Sequence, residues 1–214
     1  MSRFAWDHNA YYHRTLLRHL PTPCADVLDV GCGAGAFATA LAARVPHVDA
    51  LDRSPEMIAA AQRTVPANVT CVRADFLSDG VVPEGRYDAV FSVTALHHMT
   101  LADALPRMAA ALRPGGVLAA IALPRTDLPR ELPVEFAAFA AQRVFAAVFA
   151  VARATSGGDW YAREPAHDEM PVMLDPSLTT RQVRAGATAA LPGADVRRLL
   201  FWRYLLVWRK PPAG

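Results

Sequence analysis

The chain has 214 residues, of which 53% are hydrophobic and 20% charged, with a formal net charge of +2. This composition supports the core of one domain and argues against intrinsic disorder. Basic residues stand singly or in pairs, which is not the pattern of a nucleic-acid-binding surface. Three cysteines without CxxC spacing and an N-terminus without an export pattern predict a cytoplasmic protein with reduced thiols.

The first predicted helix runs from His8 to about Leu20, with Asp7 as its N-cap. Part of its surface is polar and aromatic, with His8, Asn9, Tyr12 and His13. We treat residues 1–23 as a helical cap on the domain that follows.

A buried strand then runs directly into a glycine-rich turn. Asp26 to Val30 has the apolar pattern of such a strand, Gly31, Gly33 and Gly35 follow at every second position, and a helix is predicted from Phe37 to Val45. A strand that turns through glycines into a helix offers free backbone N–H groups and the positive end of a helix dipole. Small residues there let a ligand approach the main chain, so this turn is the predicted ligand site.

Further strands alternate with helices along the next part of the chain. The predicted strands are Val48 to Leu51, Val69 to Val72, Tyr87 to Val93 and Val117 to Leu123, with helix starts at Ser54 and Leu101. This alternation predicts an α/β, doubly wound, mostly parallel sheet of the Rossmann-like kind. Ligands bind at the carboxyl ends of such strands, where Gly31, Asp52, Asp75 and Val93 share one rim.

The remaining residues break the alternation. An apolar helix from about Val134 to Arg153 is interrupted by Gln142 and Arg143, which favours a buried or pocket-lining helix without membrane insertion. The following loop is rich in aromatic and polar residues, namely Trp160, Tyr161, His167, Asp168, Glu169 and Met170. It is predicted either to form the outer wall of a substrate pocket or to be a surface loop, and residues 124–178 form a substrate-side insertion in one domain of 214 residues.

The C-terminal region predicts a helix and two strands. Thr179 to Gln182 is a capping box that opens a helix ending near Leu191. Val196 to Trp208 is too long for one strand, and we expect it to bend near Trp202 into two antiparallel strands. The sheet therefore has seven strands, with an antiparallel strand at its C-terminal end.

The spacing of the glycines separates two kinds of cofactor. A dinucleotide fingerprint has the form G-x-G-x-x-G, whereas this chain has Gly31-x-Gly33-x-Gly35 preceded by Asp29. A carboxylate so close to the turn would repel a pyrophosphate, but it suits a ligand that carries an ammonium group. S-adenosylmethionine (SAM) has an amino acid head, a sulfonium and no phosphate.

Residues Val27 to Phe37 resemble motif I of the class I SAM-dependent methyltransferases. Four later segments agree with this family in order and spacing: Val48 to Ser54, Arg73 to Phe76, Tyr87 to His98 and Leu112 to Leu118. The likeness is greatest to the broad subgroup of ubiquinone/menaquinone-type and small-molecule methyltransferases. It covers roughly residues 25 to 123.

The resemblance implies roles for the residues around the glycine turn. Asp29 would face the methionine ammonium, Gly31 and Gly33 would pass their backbone beneath the methionine, and Gly35 would let the helix pack closely. Cys32 lies within the same motif and is included among the predicted cofactor contacts.

The resemblance also implies contacts to the rest of the cofactor. Asp52 would accept hydrogen bonds from both ribose hydroxyls, because its two oxygens match a cis-diol. The adenine would lie among Arg53, Met57, Asp75 and Phe76, and the amino acid head beside Val93. Taken alone, each acid is equally compatible with a helix cap or the surface, and Met57 with the core.

The first helix and the fourth strand supply the residues predicted near the methyl acceptor. Tyr12 is expected on the SAM carboxylate, with Asn9 beside it, and His13 toward the substrate, although simple packing is the alternative. Methyl transfer needs a base only if the nucleophile arrives protonated, and histidine suits that task. His98 is preferred to His97, either as this base or as part of the wall. No ligand pair has metal spacing, so no metal is expected.

The sequence thus predicts methyl transfer from SAM to a small molecule, apolar or aromatic, and leaves the oligomeric state open, a homodimer included. A protein that binds SAM without methylating is the alternative. An NAD-linked oxidoreductase is disfavoured by the glycine spacing. Transfer to nucleic-acid bases is disfavoured because Ser92 to Ala95 lacks the Asn/Asp-Pro-Pro-Tyr/Phe sequence of those enzymes.

Overall fold

A computed structural model describes residues 6–128, 130–156, 158, 160–161 and 176–214. The strands are β1 (Asp26–Val30), β2 (His47–Asp52), β3 (Val69–Arg73), β4 (Tyr87–Val93), β5 (Leu112–Ala122), β6 (Asp195–Leu199) and β7 (Arg203–Arg209). They form one sheet in the order β3-β2-β1-β4-β5-β7-β6. Strands β1 to β5 are parallel, and β7 runs antiparallel to both of its neighbours. The predicted Rossmann-like sheet is confirmed.

Helices cover both faces of this sheet. They are α1 (His8–Leu17), α2 (Ala36–Ala42), α3 (Pro55–Thr64), α4 (Leu101–Ala111), α5 (Leu132–Ser156) and α6 (Thr180–Ala190), with a short 3₁₀ helix at Leu96–His98. One hydrophobic cluster joins the sheet to α4 and α6, and the other joins it to α1, α2, α3 and α5. Strand order reverses between β1 and β4, which leaves a crevice at their carboxyl ends.

Capping residues start three of the helices where the sequence places them. The Asp7 carboxylate accepts from the amides of Asn9 and Ala10 at 2.7 and 3.2 Å. The Ser54 hydroxyl accepts from the Met57 amide at 3.2 Å. Thr179 and Gln182 cap each other reciprocally, as the predicted capping box requires. The prediction is less exact for β5, which begins at Leu112 and not at Val117, and whose register against β4 shifts near its start.

The predicted bend near Trp202 joins β6 to β7. Phe201 and Trp202 have φ values of 56° and 58°, which non-glycine residues rarely adopt. Side chains from other elements hold this turn: the Tyr12 hydroxyl donates to the Leu200 carbonyl at 2.5 Å, and the Trp202 indole donates to Glu135 at 2.6 Å. These long-range contacts explain why the turn needs neither glycine nor proline.

Helix α5 differs from its prediction. Only 17% of its most apolar window is buried, although by length and composition it is the one helix in the described part of the chain that meets the criteria for a membrane span. The face that packs against the protein consists of small and aromatic side chains, of which Ala138, Ala146 and Phe149 are buried. The large exposed side chains of its outer face are Leu132, Phe136, Phe139, Val144, Val148 and Val151. The prediction of a buried or pocket-lining helix is wrong, because a helix apolar on all sides carries no signal for which face is covered.

Candidate functional site

A cavity of about 380 Å³ opens at the carboxyl ends of the strands. Its walls come from the start of α1, the glycine turn, the residues after β2, β3 and β4, and the first residue of β7. This volume lies in the range of roughly 300 to 1,000 Å³ that is typical of small-molecule sites. Nine of the residues predicted for the site line it: Asn9, Gly31, Gly33, Asp52, Arg53, Asp75, Phe76, Val93 and His98.

The glycine turn is closely packed against neighbouring segments. Gly31 has φ +74° and a Cβ there would lie 2.2 Å from the Ala95 side chain, so only glycine fits. Gly35, with φ +86°, precedes α2, and a Cβ there would lie 2.6 Å from Val65 just after α3. Gly31 therefore shapes the cavity floor, whereas Gly35 lies outside the cavity and allows the close packing expected of it.

Asp52 connects the turn to the end of β2. Its two carboxylate oxygens accept one hydrogen bond each, from the Gly33 amide and the Ser54 amide, both at 2.9 Å. A carboxylate oxygen has room for more than one donor, so each oxygen retains acceptor capacity toward the cavity. The geometry fits a ligand with two adjacent hydroxyls, while the same side chain also holds the turn in place.

Asp29 lies in β1 beneath the turn and behind the cavity wall. Its side chain is completely buried, and neither carboxylate oxygen has a hydrogen-bond partner among the described residues. Burial, and then the charge of Asp52, raise the pKa of this carboxyl to about 7. A buried acid of this kind is stabilised in its ionised form by a cation nearby. The site therefore fits a ligand that presents an ammonium group at the turn.

Of the residues predicted around adenine, three line the cavity and one lies in the hydrophobic core. Asp75 is exposed at the rim, where its carboxylate also accepts from the Leu77 amide at 2.9 Å. Arg53 is exposed as well, and Phe76 is buried with its side chain in the wall. Met57 is 3% exposed and does not line the cavity, so the core position is the one observed.

Tyr12, His13 and Cys32 lie outside the cavity, which corrects their predicted placement. The buried Tyr12 hydroxyl donates to the Leu200 carbonyl in the core, whereas Asn9 lines the cavity. The His13 ring lies 4.9 Å from the Phe37 ring. Cys32 is buried, and burial raises the pKa of its thiol.

His97 and His98 both line the cavity from the 3₁₀ helix, with ring centroids 4.2 Å apart. Burial, followed by the charges of His98 and Arg203, lowers the pKa of His97 to about 3. Burial and then Arg53 lower the pKa of His98. Both rings are therefore neutral at neutral pH. The buried Nδ1 of His97 has no partner in the described chain.

Three cavity residues were missed from the sequence. Trp6 precedes α1 and His8 begins it, and the His8 Nε2 lies 2.6 Å from the Gln142 amide oxygen, which accounts for a polar residue within α5. Arg203 begins β7 and donates to the Asn9 side chain at 2.9 Å. A contact across 194 positions leaves no local pattern in the sequence that would indicate it.

The loop after α5 contributes no described residue to the cavity. The Trp160 indole donates to Ser156 at 2.5 Å, and the Tyr161 carbonyl accepts from the Asp7 amide at 2.8 Å. His167, the third residue predicted for the wall, lies outside the described residues, as do Asp168, Glu169 and Met170 of the same loop. Within the described ranges, no three His, Cys, Asp or Glu side chains are grouped as metal ligands.

Comparisons with known proteins agree with this geometry. A family model described as a methyltransferase domain matches residues 27–116. An uncharacterized methyltransferase of Mycobacterium tuberculosis is 33% identical over 211 residues, which cover 96% of this chain and 98% of the relative. The solved DhpI-SAH complex has a TM-score of 0.61 at 19% identity, covering 97% of this chain and 89% of that chain.

Two further relatives align with about half of the chain. A trans-aconitate 2-methyltransferase of Methylobacterium nodulans is 40% identical over 111 residues, which are 49% of this chain and 41% of the relative. A ribosomal RNA large subunit methyltransferase G of Streptomyces coelicolor is 37% identical over 118 residues, 49% of this chain and 31% of the relative. These relatives differ in what their names say they act on.

Proposed function

The chain belongs to the class I SAM-dependent methyltransferases, and from this premise we propose that it methylates a small molecule with an apolar or aromatic body. The observation that carries the proposal is the cavity, which continues past the acids of the rim to a second group of side chains. That group consists of Trp6, His8, His97 and Arg203, from three separate parts of the fold. Such a closely surrounded space suits a compact acceptor.

Residues on the β1 and β2 side would hold the cofactor. Bound SAM supplies a methyl group on a positively charged sulfur. The Asp52 carboxylate would accept from the ribose hydroxyls, Asp29 would balance the ammonium, and Asp75 would accept from the adenine amino group. Gly31 and Gly33 line the cavity without side chains, so a ligand can approach the main chain of the turn.

Residues on the other side would orient the acceptor and exclude water. Transfer of an activated methyl depends mainly on alignment, so walls and fixed polar groups matter more than a strong base. His98 is the residue proposed nearest to this role. Its lowered pKa keeps the ring neutral, so that it can accept a hydrogen bond from an acceptor hydroxyl.

Ribosomal RNA is the acceptor named for one relative, and the isolated arginines of this chain support it less well than a small molecule. Single-stranded RNA sites combine a basic groove with stacking aromatic residues. Arg53 and Arg203 are the arginines at the cavity, and the aromatic rings of α1 and α5 pack mainly against one another.

The test incubates the protein with methyl-labelled SAM and an extract of the source cells, and separates the products by size. We expect label in the small-molecule filtrate, unchanged when the extract is first treated with ribonuclease. Label that stays with RNA would contradict the proposal. Binding of SAH by calorimetry with no label in any fraction would favour the SAM-binding protein that does not methylate.

A further inference from the structure

Arg203 is a cationic side chain in the cavity wall that forms no ion pair with the described acidic residues. Its two terminal nitrogens donate to neutral oxygens, the Phe201 carbonyl and the Asn9 amide oxygen, both at 2.9 Å. Its Nε is buried and has no partner in the described part of the chain. No ion pair to Arg203 is present among the described residues, and its charge is balanced only in part, by the Asp7 carboxylate nearby.

Arg198, on the adjacent strand, provides the contrast within the same hairpin. It forms ion pairs with Glu135 at 2.6 Å and with Glu131 at 3.5 Å. The second oxygen of Glu135 accepts from the Trp202 indole. Glu131, just before α5, and Glu135 within it are therefore engaged by Arg198 and Trp202 and form no ion pair with Arg203.

The groups around Arg203 do not replace such a partner. The Asp7 carboxylate acts on Arg203 through its charge, but one of its oxygens caps α1. His8 and His97 are both neutral, because burial lowers each pKa and the charge of Arg203 lowers it further. Burial of Arg203 lowers the pKa of its guanidinium to about 10. An incompletely paired buried charge is costly, and an anion removes this cost.

Other polar atoms in the same part of the cavity also lack partners. The Trp6 indole nitrogen and the His97 Nδ1 are buried and make no hydrogen bond with the described residues. Both residues line the cavity together with Arg203. Buried polar groups in folded proteins are nearly always satisfied, so a cluster of exceptions indicates a site for a polar ligand.

We propose that the methyl acceptor carries a carboxylate that pairs with Arg203. This inference rests on the small-molecule acceptor proposed above and names its chemical class. A guanidinium matches a carboxylate with two parallel hydrogen bonds, which fixes both distance and orientation. Anchored there, the acceptor has its remaining body directed toward the rim and the glycine turn.

The carboxylate of SAM is a second source of the same chemistry, and the sheet geometry disfavours it. Arg203 begins β7, which is three strands from β1, where Asp29 marks the expected ammonium position. Adjacent strands are about 4.8 Å apart, so the two backbones are roughly 14 Å apart across the sheet. The ammonium and carboxylate of an amino acid share one carbon atom, so the Arg203 side chain would have to extend over much of this distance toward β1 to bind the SAM carboxylate.

The test measures binding to the SAH-loaded protein and requires no methyl transfer. Two matched pairs of probes are used by calorimetry or NMR: benzoate with benzamide, and hexanoate with hexanamide. We expect at least one carboxylate to bind about ten- to a hundredfold more tightly than its amide, the range expected for a charged hydrogen-bonded pair. Equal binding within both pairs, or no binding of either carboxylate, would overturn the inference without requiring any variant to fold.

Variants then test whether Arg203 is the residue that makes a carboxylate bind more tightly than its amide. Arg203→Gln should abolish this preference, Arg203→Lys should retain part of it, and SAH affinity should stay within about threefold of wild type, because the anion belongs to the acceptor. Arg197→Gln is the matched control, since Arg197 is exposed on β6 of the same hairpin. An equal loss of SAH affinity in Arg203→Gln would assign the anion to the cofactor and contradict the inference. Failure of methyl transfer to small molecules would instead count against the proposed function alone.

Discussion

The two sides of the cavity are built differently. On the side of β1 and β2, the polar groups come from one stretch of chain, and Asp52 is held by the amides of Ser54, 2 positions later, and Gly33, 19 positions earlier. On the other side, residues 6–9, 97–98 and 203 meet only through tertiary packing. The proposed cofactor side is therefore built from segments close together in the sequence, and the proposed acceptor side from segments far apart in it.

The largest expected effect comes from breaking the turn itself. Gly31→Ala places a Cβ 2.2 Å from Ala95 at a positive φ, so we expect a loss of roughly 2–4 kcal/mol of folding stability and no measurable SAH binding. Denaturant unfolding and calorimetry measure the two quantities. Gly193→Ala is the control, because its φ is +85° and a Cβ there meets nothing within 4 Å. Equal losses in the two variants would show that backbone strain, and not the contact with Ala95, is responsible.

Asp29 links cofactor binding to pH. With a pKa of about 7 in the ligand-free protein, this carboxyl must lose a proton before it can balance an ammonium group. We therefore expect SAH affinity to fall by up to about tenfold per pH unit as the pH decreases below 7. Calorimetry between pH 5.5 and 7.5 checks this, roughly thirtyfold being the full range. Asp29→Asn should bind weakly with no such slope, and a slope retained in this variant would assign the proton to another group.

The same residue has the opposite effect on folding. Because the pKa of Asp29 is raised on folding above its ordinary 3.8, its contribution to stability is fully present below about pH 4 and is lost as the pH rises through about 7. At pH 8 the ligand-free Asp29→Asn protein should be more stable than wild type by roughly 1–4 kcal/mol. Denaturant unfolding at pH 4 and pH 8 measures the difference, which should disappear at the lower pH.

Asp52 and Asp75 allow a comparison between a carboxylate fixed by two backbone amides at the turn and a carboxylate exposed at the rim. Asp52→Ala should weaken SAH binding by about 1–3 kcal/mol, because it loses ligand contacts and also releases the Gly33 amide. Asp75→Ala, at the exposed rim, should weaken it by less than about 1 kcal/mol. Calorimetry with SAH measures both, and an equal effect of the two variants would show that burial at the turn adds nothing to recognition.

The sequence predicted most of the β1 and β2 side of the cavity, but it missed Trp6 and Arg203 on the opposite side. The strand from Asp26 to Val30, the caps of α3 and α6 and the lining position of Asp52 follow from patterns confined to a few residues. The places of Trp6 and Arg203 depend on how α1, α5 and the β6–β7 hairpin pack together. Helix α5 was assigned to the interior because its sequence is apolar, yet its outer face is covered by nothing in the described chain.

The smallest expected effect tests whether helix α1 influences SAH binding on the β1 and β2 side of the cavity, or only the packing on the opposite side. The Tyr12 hydroxyl bonds to the Leu200 carbonyl in the core, so Tyr12→Phe should lower stability by roughly 1 kcal/mol. It should leave SAH affinity unchanged, because the side chain does not reach the cavity. Denaturant unfolding and calorimetry measure these quantities, with Tyr11→Phe as the control in the same helix. A loss of SAH affinity in Tyr12→Phe alone would show that the β6–β7 turn positions the cofactor side as well, and that the two sides are coupled through α1.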